Sequence, residues 1–202
     1  MTSAPQLIRT GFWRWLQGTG LERFQLLRAP DQWILRGTIL TLTEHDPAEA
    51  RYEIVCNHSW RTGSAEISLQ SKDSDRTLRI RTENGRWYEN DQLNEAVNGC
   101  IDVDLGWSPS TNTLPVRRLQ LAVGESSGLV TAAWVRFPEL TLQPLPQEYQ
   151  HLSAQQYRYS SRGGAFVANL SVDDEGLVLN YEGFWQRVDC TDIGRGSFLA
   201  LR

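Results

Sequence analysis

Apolar and polar residues alternate with a period of two along most of this 202-residue chain. That period puts successive side chains on opposite faces of a strand. Residues 12–16, Phe-Trp-Arg-Trp-Leu, show it first, and 22–27, 33–42, 51–55, 65–69 and 77–82 repeat it with β-branched and aromatic content. Polar or glycine-bearing stretches punctuate these runs: Gly18-Thr19-Gly20, Ser71-Lys72-Asp73-Ser74-Asp75 and Glu83-Asn84-Gly85 read as turns, and Asp173-Asp174-Glu175-Gly176 as a hairpin tip. Only 91–97 and part of 146–155 read as short helices. The expected fold is mainly β: a curved antiparallel sheet, half-barrel or barrel-like, with one or two short helices.

An internal match supports one domain over 1–202 built from two pseudo-repeats, about 21–88 and 116–187, joined by 89–115. Arg23-Phe24-Gln25-Leu26 is echoed by Arg118-Leu119-Gln120-Leu121, and Leu40-Thr41-Leu42 by Leu140-Thr141-Leu142. Arg51-Tyr52-Glu53-Ile54 is matched to Gln156-Tyr157-Arg158-Tyr159, and each copy closes on a glycine and a tryptophan, Gly85 with Trp87 and Gly183 with Trp185. A sheet with one apolar face must bury it, and two related curved sheets enclose a core or a pocket.

Composition narrows the function classes. A net charge of −4 and a pI near 5.4 argue against a nucleic-acid partner, which needs a basic footprint. The three cysteines, Cys56, Cys100 and Cys190, form no C-x-x-C pair. With His45, His58 and His151 in no ligand spacing, no metal site or cofactor is signalled. No run approaches the roughly 20 apolar residues of a membrane span, and residues 1–10 lack a signal-peptide core. The expectation is a soluble cytoplasmic protein; nothing in the pattern specifies an oligomeric state. Gly124-Glu125-Ser126-Ser127-Gly128 matches a hydrolase elbow in letters only, because a strand pattern follows it where a helix is required. The eight tryptophans against one methionine stand out. They serve as core filling or as the lining of a cavity.

Chemistry concentrates between the repeats. Ile101-Asp102-Val103-Asp104-Leu105 reads as a strand with both carboxylates on one face, about 6.5–7 Å apart along the backbone. Like charges so placed need donors or a cation. Arg117 and Arg118 are the candidate cations; Ser108, Ser110, Thr111, Asn112 and Thr113 are the candidate donors, in a loop stiffened by Pro109 and Pro115. Three readings stand: a structural polar network, a ligand-facing polar rim, or a catalytic pair at a separation compatible with an inverting glycosidase.

The same residues carry a resemblance. Asp102-Val103-Asp104-Leu105 followed by Ser108-Pro109-Ser110-Thr111-Asn112-Thr113-Leu114-Pro115-Val116-Arg117-Arg118-Leu119 resembles the signature of a bacterial glycolipid-binding family that began as a domain of unknown function. The likeness extends through Trp134-Val135-Arg136-Phe137-Pro138 and Gly176 to Tyr181, with Ser110 a departure where a bulkier apolar residue is expected. It implies a barrel-like antiparallel sheet and a glycolipid or fatty-acyl ligand. The leading expectation is thus an amphiphile-binding protein whose site comprises Trp13, Trp60, Trp107, Trp134, Asp102, Asp104, Asn112, Thr113, Arg117 and Arg118. The alternatives are an enzyme of glycolipid or carbohydrate metabolism acting through Asp102 and Asp104, and a scaffold domain. No nucleophile–base–orienter set is visible, so binding leads over catalysis.

Overall fold

The two-residue period becomes strand in nearly every place where it occurs. The computed structural model describes residues 4–43, 46–72 and 75–188. His45, Cys190 and two residues of the expected hairpin loop, Asp73 and Ser74, lie outside them. Fifteen strands hydrogen-bond into one curved, unclosed sheet. The first meander comprises β1 (Gln6–Trp15), β2 (Gly20–Ala29), β3 (Gln32–Thr43), β4 (Asp46–Asn57), β5 (Thr62–Ser71), β6 (Asp75–Glu83), β7 (Arg86–Glu89) and β8 (Gln92–Leu93). The second comprises β9 (Val103–Leu105), β10 (Val130–Val135), β11 (Leu142–Ser153), β12 (Gln156–Ser161), β13 (Phe166–Val172), β14 (Val178–Tyr181) and β15 (Trp185–Val188).

The two meanders join where β1 pairs with β15, Phe12 opposite Val188 and Trp15 opposite Trp185. Strand order therefore runs from β8 down to β1, then β15 down to β9. The sheet's two edges, β8 and β9, are consecutive in the chain. Every ladder is antiparallel except β9 with β10, which is parallel, and a parallel pair needs a long crossover. That crossover holds α1 (Thr113–Leu119), the one α-helix among the described residues. Near the seam Thr62 of β5 donates its backbone N–H to Ile101 O (3.3 Å), and its hydroxyl accepts the N–H of Val103 (3.0 Å).

Curvature has a visible device. Across β1 to β4 one inward-facing row reads Gly11, Phe24, Gly37, Tyr52. Each aromatic ring lies over a cross-strand glycine, so large and small residues alternate around the bend. A β-carbon on Gly11 would stand 2.9 Å from the Phe24 ring, and one on Gly37 would collide with the Tyr52 ring. Trp13 stacks on Phe24 at 3.8 Å, and its indole N–H donates to Val178 O of the other meander (2.7 Å).

Several expectations are corrected. Residues 146–155 are not helical: most of them lie in β11, whose buried positions Leu145, Gln147 and Tyr149 keep the two-residue period. Residues 91–97 hold only β8 and a single 3-10 turn, Glu95–Val97. The linking segment, expected as a loop, runs into α1 at its end; Pro115 sits in the helix's first turn, where a missing N–H costs nothing. The segment matches behind the pseudo-repeats do not carry over to elements. Arg118 and Leu119 end α1 where their counterparts lie in β2. Leu140-Thr141 lie in a turn before β11, whereas Leu40-Thr41-Leu42 lie within β3. What the two halves share is the meander.

Because Tyr52 has no free space on the Gly37 side, Gly37→Ala should lower stability by about 1–3 kcal/mol, the usual cost of overpacking. Urea denaturation measures this; a change under about 0.5 kcal/mol would show that the row has slack.

Candidate functional site

The segment from Gly106 to Arg118 runs inside the curve of the sheet. Ser108, Ser110, Thr111, Asn112 and Thr113 are all buried, with Ser110 and Thr113 at 0% exposure. They form an inner wall, which agrees with a structural polar network more than with a ligand-facing rim. Buried polar groups need partners, and the sequence supplies them in three clusters.

In the first, Glu22 of β2 points inward with 0% exposure. Tyr52 OH donates to its Oε1 (2.5 Å) and Ser108 Oγ to the same oxygen (2.9 Å). Ser110, the departure from the resembled pattern, extends this chain through its contact with Ser108 Oγ (2.8 Å). In the second, Asp104 of β9 accepts from Thr111 Oγ1 (3.3 Å) and from Gln147 Nε2 of β11, while Tyr149 OH donates to Asn112 Oδ1 (3.0 Å). In the third, Arg118 grips Asp102 with two bonds, Nε to Oδ1 (3.0 Å) and Nη2 to Oδ2 (2.6 Å). The expected compensation of the aspartates by an arginine thus falls to Arg118 and Asp102. Arg117 turns away, donating to Asp174 O (3.2 Å).

Burial dominates the electrostatics of all three carboxyls. It pushes Glu22 up to about 8 against the lowering pull of Tyr52 and Ser108. It pushes Asp104 up to about 6 against Gln147 and Thr111. Asp102 is also raised by burial, with Arg118 opposing.

Beside this wall lie two adjoining hollows. One, of about 290 Å³, is bounded by Asp104, Ser108, Asn112, Ser161 and Arg162 and by the rings of Trp134, Tyr159, Phe166, Tyr181, Phe184 and Trp185. The other, of about 440 Å³, is more apolar, with Trp15, Ile39, Leu42, Trp107, Phe137 and Pro138. They share Gly106, Phe184 and Trp185, so they adjoin at these residues and are together called the cleft, with a polar end and an apolar end. Phe166, Tyr181 and Phe184 pack edge-to-face or tilted at 5.3–6.4 Å, which fixes the ring orientations. A β-carbon on Gly106 would collide with the indole nitrogen of Trp134, so that glycine seats the ring at the polar end.

Residues 10–187 match the family described as "Putative glycolipid-binding". The chain belongs to this family. A crystal structure of a DUF1089 family protein from Pseudomonas aeruginosa, at 1.80 Å, is similar to this glycolipid-binding family member: 31% identity and a TM-score of 0.75, over 83% of this chain and 92% of that one. No curated protein matches the chain. No helix among the described residues is long and apolar enough to cross a membrane.

Of the residues that the sequence singles out, this family member brings Trp107, Trp134, Asp104 and Asn112 to the cleft. Trp13 is core, stacked and hydrogen-bonded at 0% exposure. Thr113 is also fully buried in the wall. Trp60, Arg117 and Arg118 line a separate recess, and Asp102 is occupied by Arg118. The alternation of sequence missed Glu22, Ser161, Arg162 and the rings of the second meander. Glu22 was within reach, since it shares parity with the inward Phe24 and Leu26.

Two predictions follow from the buried acids. Glu22 has a folded pKa above its ordinary value, so its contribution to stability is fully present below about 4.5 and is lost as pH rises through about 8. Stability to urea should fall between pH 5 and 8.5 by an amount on the order of a few kcal/mol, and Glu22→Gln should flatten that slope. An equal slope in both proteins would remove Glu22 as the cause. Asp102→Asn should cost about 3 kcal/mol, because it leaves Arg118 buried without its counter-charge; a loss under about 0.5 kcal/mol would mean the pair is structurally idle.

Proposed function

We propose that this protein binds an amphiphile of the glycolipid kind across the two adjoining hollows, with the acyl portion in the apolar end and the sugar in the polar end. The observation that carries the reading is the adjacency, at Gly106, Phe184 and Trp185, of a hollow holding a carboxyl, three hydroxyl or amide side chains and a guanidinium and one walled by Trp15, Ile39, Trp107 and Phe137. Small-molecule sites have this character: mostly apolar walls with a few placed polar groups. The Trp134 and Tyr181 rings suit the apolar faces of a sugar, while Asp104 and Asn112 suit its hydroxyls. Trp107, which walls the apolar end, has its indole N–H buried without a partner in the protein.

The family description supports the ligand class. The two-carboxylate hydrolase reading draws less support, because Asp102 is held by Arg118 and Asp104 is the one carboxylate lining the polar end. Glycoside hydrolysis generally needs a second carboxyl across the scissile bond.

Titration with glycolipids of graded chain length should shift tryptophan emission and raise the melting temperature. Affinity should rise by about fourfold per added CH₂, the equivalent of about 0.8 kcal/mol, until the apolar end is full. Trp107→Ala should flatten the chain-length dependence, whereas Asp104→Asn should weaken binding of the sugar-bearing ligand relative to a fatty acid of equal length. A response independent of chain length in the native protein would overturn the reading.

A further inference from the structure

The polar end of the cleft holds two opposite charges that do not pair. Its lining has one carboxyl, Asp104, and one cation, Arg162. Asp104 is half-buried at the inner wall and held by Gln147 and Thr111. Arg162 is exposed; with Gly106 it is one of two exposed residues in that lining, so the hollow meets water beside it. Both charges are felt at the Tyr159 hydroxyl, whose pKa burial raises most, Asp104 raises further and Arg162 lowers. No ion pair joins the two. A molecule in the hollow therefore meets each charge separately.

Arg162 is placed by its surroundings rather than by an acid partner. Its guanidinium lies over the Trp134 ring at 5.4 Å, the ring that Gly106 makes room for. Among the described residues that guanidinium has no carboxylate partner. A guanidinium resting on an aromatic ring keeps N–H groups for other acceptors. The turn that presents it carries a conformational cost. Arg162, Gly163 and Gly164 have φ of +54°, +65° and +87°, and the first of these is unfavourable for a residue with a side chain. A β-carbon on Gly163 or Gly164 would meet open space, so these glycines serve the backbone turn and not packing. Arg136 also lies over Trp134, at 5.7 Å, but lines neither hollow, which makes it a control for charge alone.

Resting on the amphiphile reading above, we propose that the sugar taken at the polar end bears an acidic substituent, a carboxylate or a sulfate ester, which Arg162 binds while Asp104 accepts from a sugar hydroxyl. One guanidinium suits one singly charged oxyanion, which it can take with two parallel bonds. The lining holds no second cation to match a doubly charged phosphate. Asp104 makes the choice positional: it repels an acid group on its own side, so the substituent is accepted only where Arg162 stands.

Calorimetric titration of the full chain with dodecyl glucoside, dodecyl glucuronide and a sulfated dodecyl glucoside tests it. At neutral pH and low salt, below the micelle-forming concentrations, these ligands share a tail and differ in the acid group. At least one acidic ligand is expected to bind about three- to tenfold more tightly than the glucoside, with the advantage shrinking as salt is added. The ligand that gains more assigns the substituent. Arg162→Gln should abolish the advantage, Arg162→Lys should keep part of it without the two-bond geometry, and Arg136→Gln should keep it. Equal affinities for all three ligands, or an advantage that survives in a folded Arg162→Gln variant, overturn this inference and leave the amphiphile reading standing. Binding of none of the three overturns both.

Discussion

A sheet that curls without closing must fill its own concave face, and here the filling is a polar stretch of the chain itself. The crossover that the parallel β9–β10 pair demands is threaded through the interior, so its hydroxyls and amides leave water. Such burial is costly unless each group is paired. The pairing partners come from distant strands: Glu22 of β2, itself bonded to Tyr52 of β4, takes Ser108, and Tyr149 of β11 takes Asn112. Thr62 of β5 and Gln147 of β11 hold β9, from which the crossover starts. The internal wall, the curvature and the cleft beside the wall are consequences of one constraint: the crossover fits only where its polar groups meet theirs.

The strands were legible because the two-residue period is a local property, and it survives in β11, part of which read as a short helix. The crossover was not legible. Ser108-Pro109-Ser110-Thr111-Asn112 has the composition of an exposed loop, and composition reports solvent preference only when no partner is available. Its burial depends on donors and acceptors up to 86 positions away, such as Ser108 with Glu22, and no local pattern contains that information. The same limit explains the tryptophans. Trp13 and Trp107 look equivalent in sequence, yet a ladder partner and a ring stack put one in the core, while the other walls the cleft. Of the aspartate pair only Asp104 lies in a strand, β9, with Asp102 in the bend before it; which of the two met the arginine required the position of α1.

The three buried carboxyls show how one low-polarity interior yields different roles. Glu22 is enclosed and held by two hydroxyls on one oxygen, which leaves Oε2 without a partner in the protein. Its neutral form is favoured, and it serves as a hub between β2, β4 and the crossover. Asp102 is enclosed but meets a guanidinium in a two-bond fork, which favours its charged form and anchors the end of α1. Asp104 is only partly shielded and opens to the cleft, with Gln147 and Thr111 fixing its orientation. Fixed orientation with residual exposure suits a group that recognises a ligand, whereas full enclosure suits one that holds the fold.

That difference bears on how the cleft would select among ligands on the proposed reading. An ionised carboxylate offers about four lone-pair sites, and Asp104 uses one for Thr111 and one for Gln147. The remaining sites are unsatisfied unless a ligand hydroxyl reaches them. A ligand that fills the apolar end but brings no donor to the polar end would cover Asp104 and strip its remaining water without replacing it, at a cost comparable to a lost charged hydrogen bond. On the proposed reading, acyl length would set how tightly an amphiphile is held, and the polar end would set which amphiphiles are accepted. Above a pH of about 6, where burial no longer keeps Asp104 protonated, the demand for a donor would be strongest. The head groups favoured there would be those rich in hydroxyls, the property that distinguishes a sugar from an ester or a simple fatty acid.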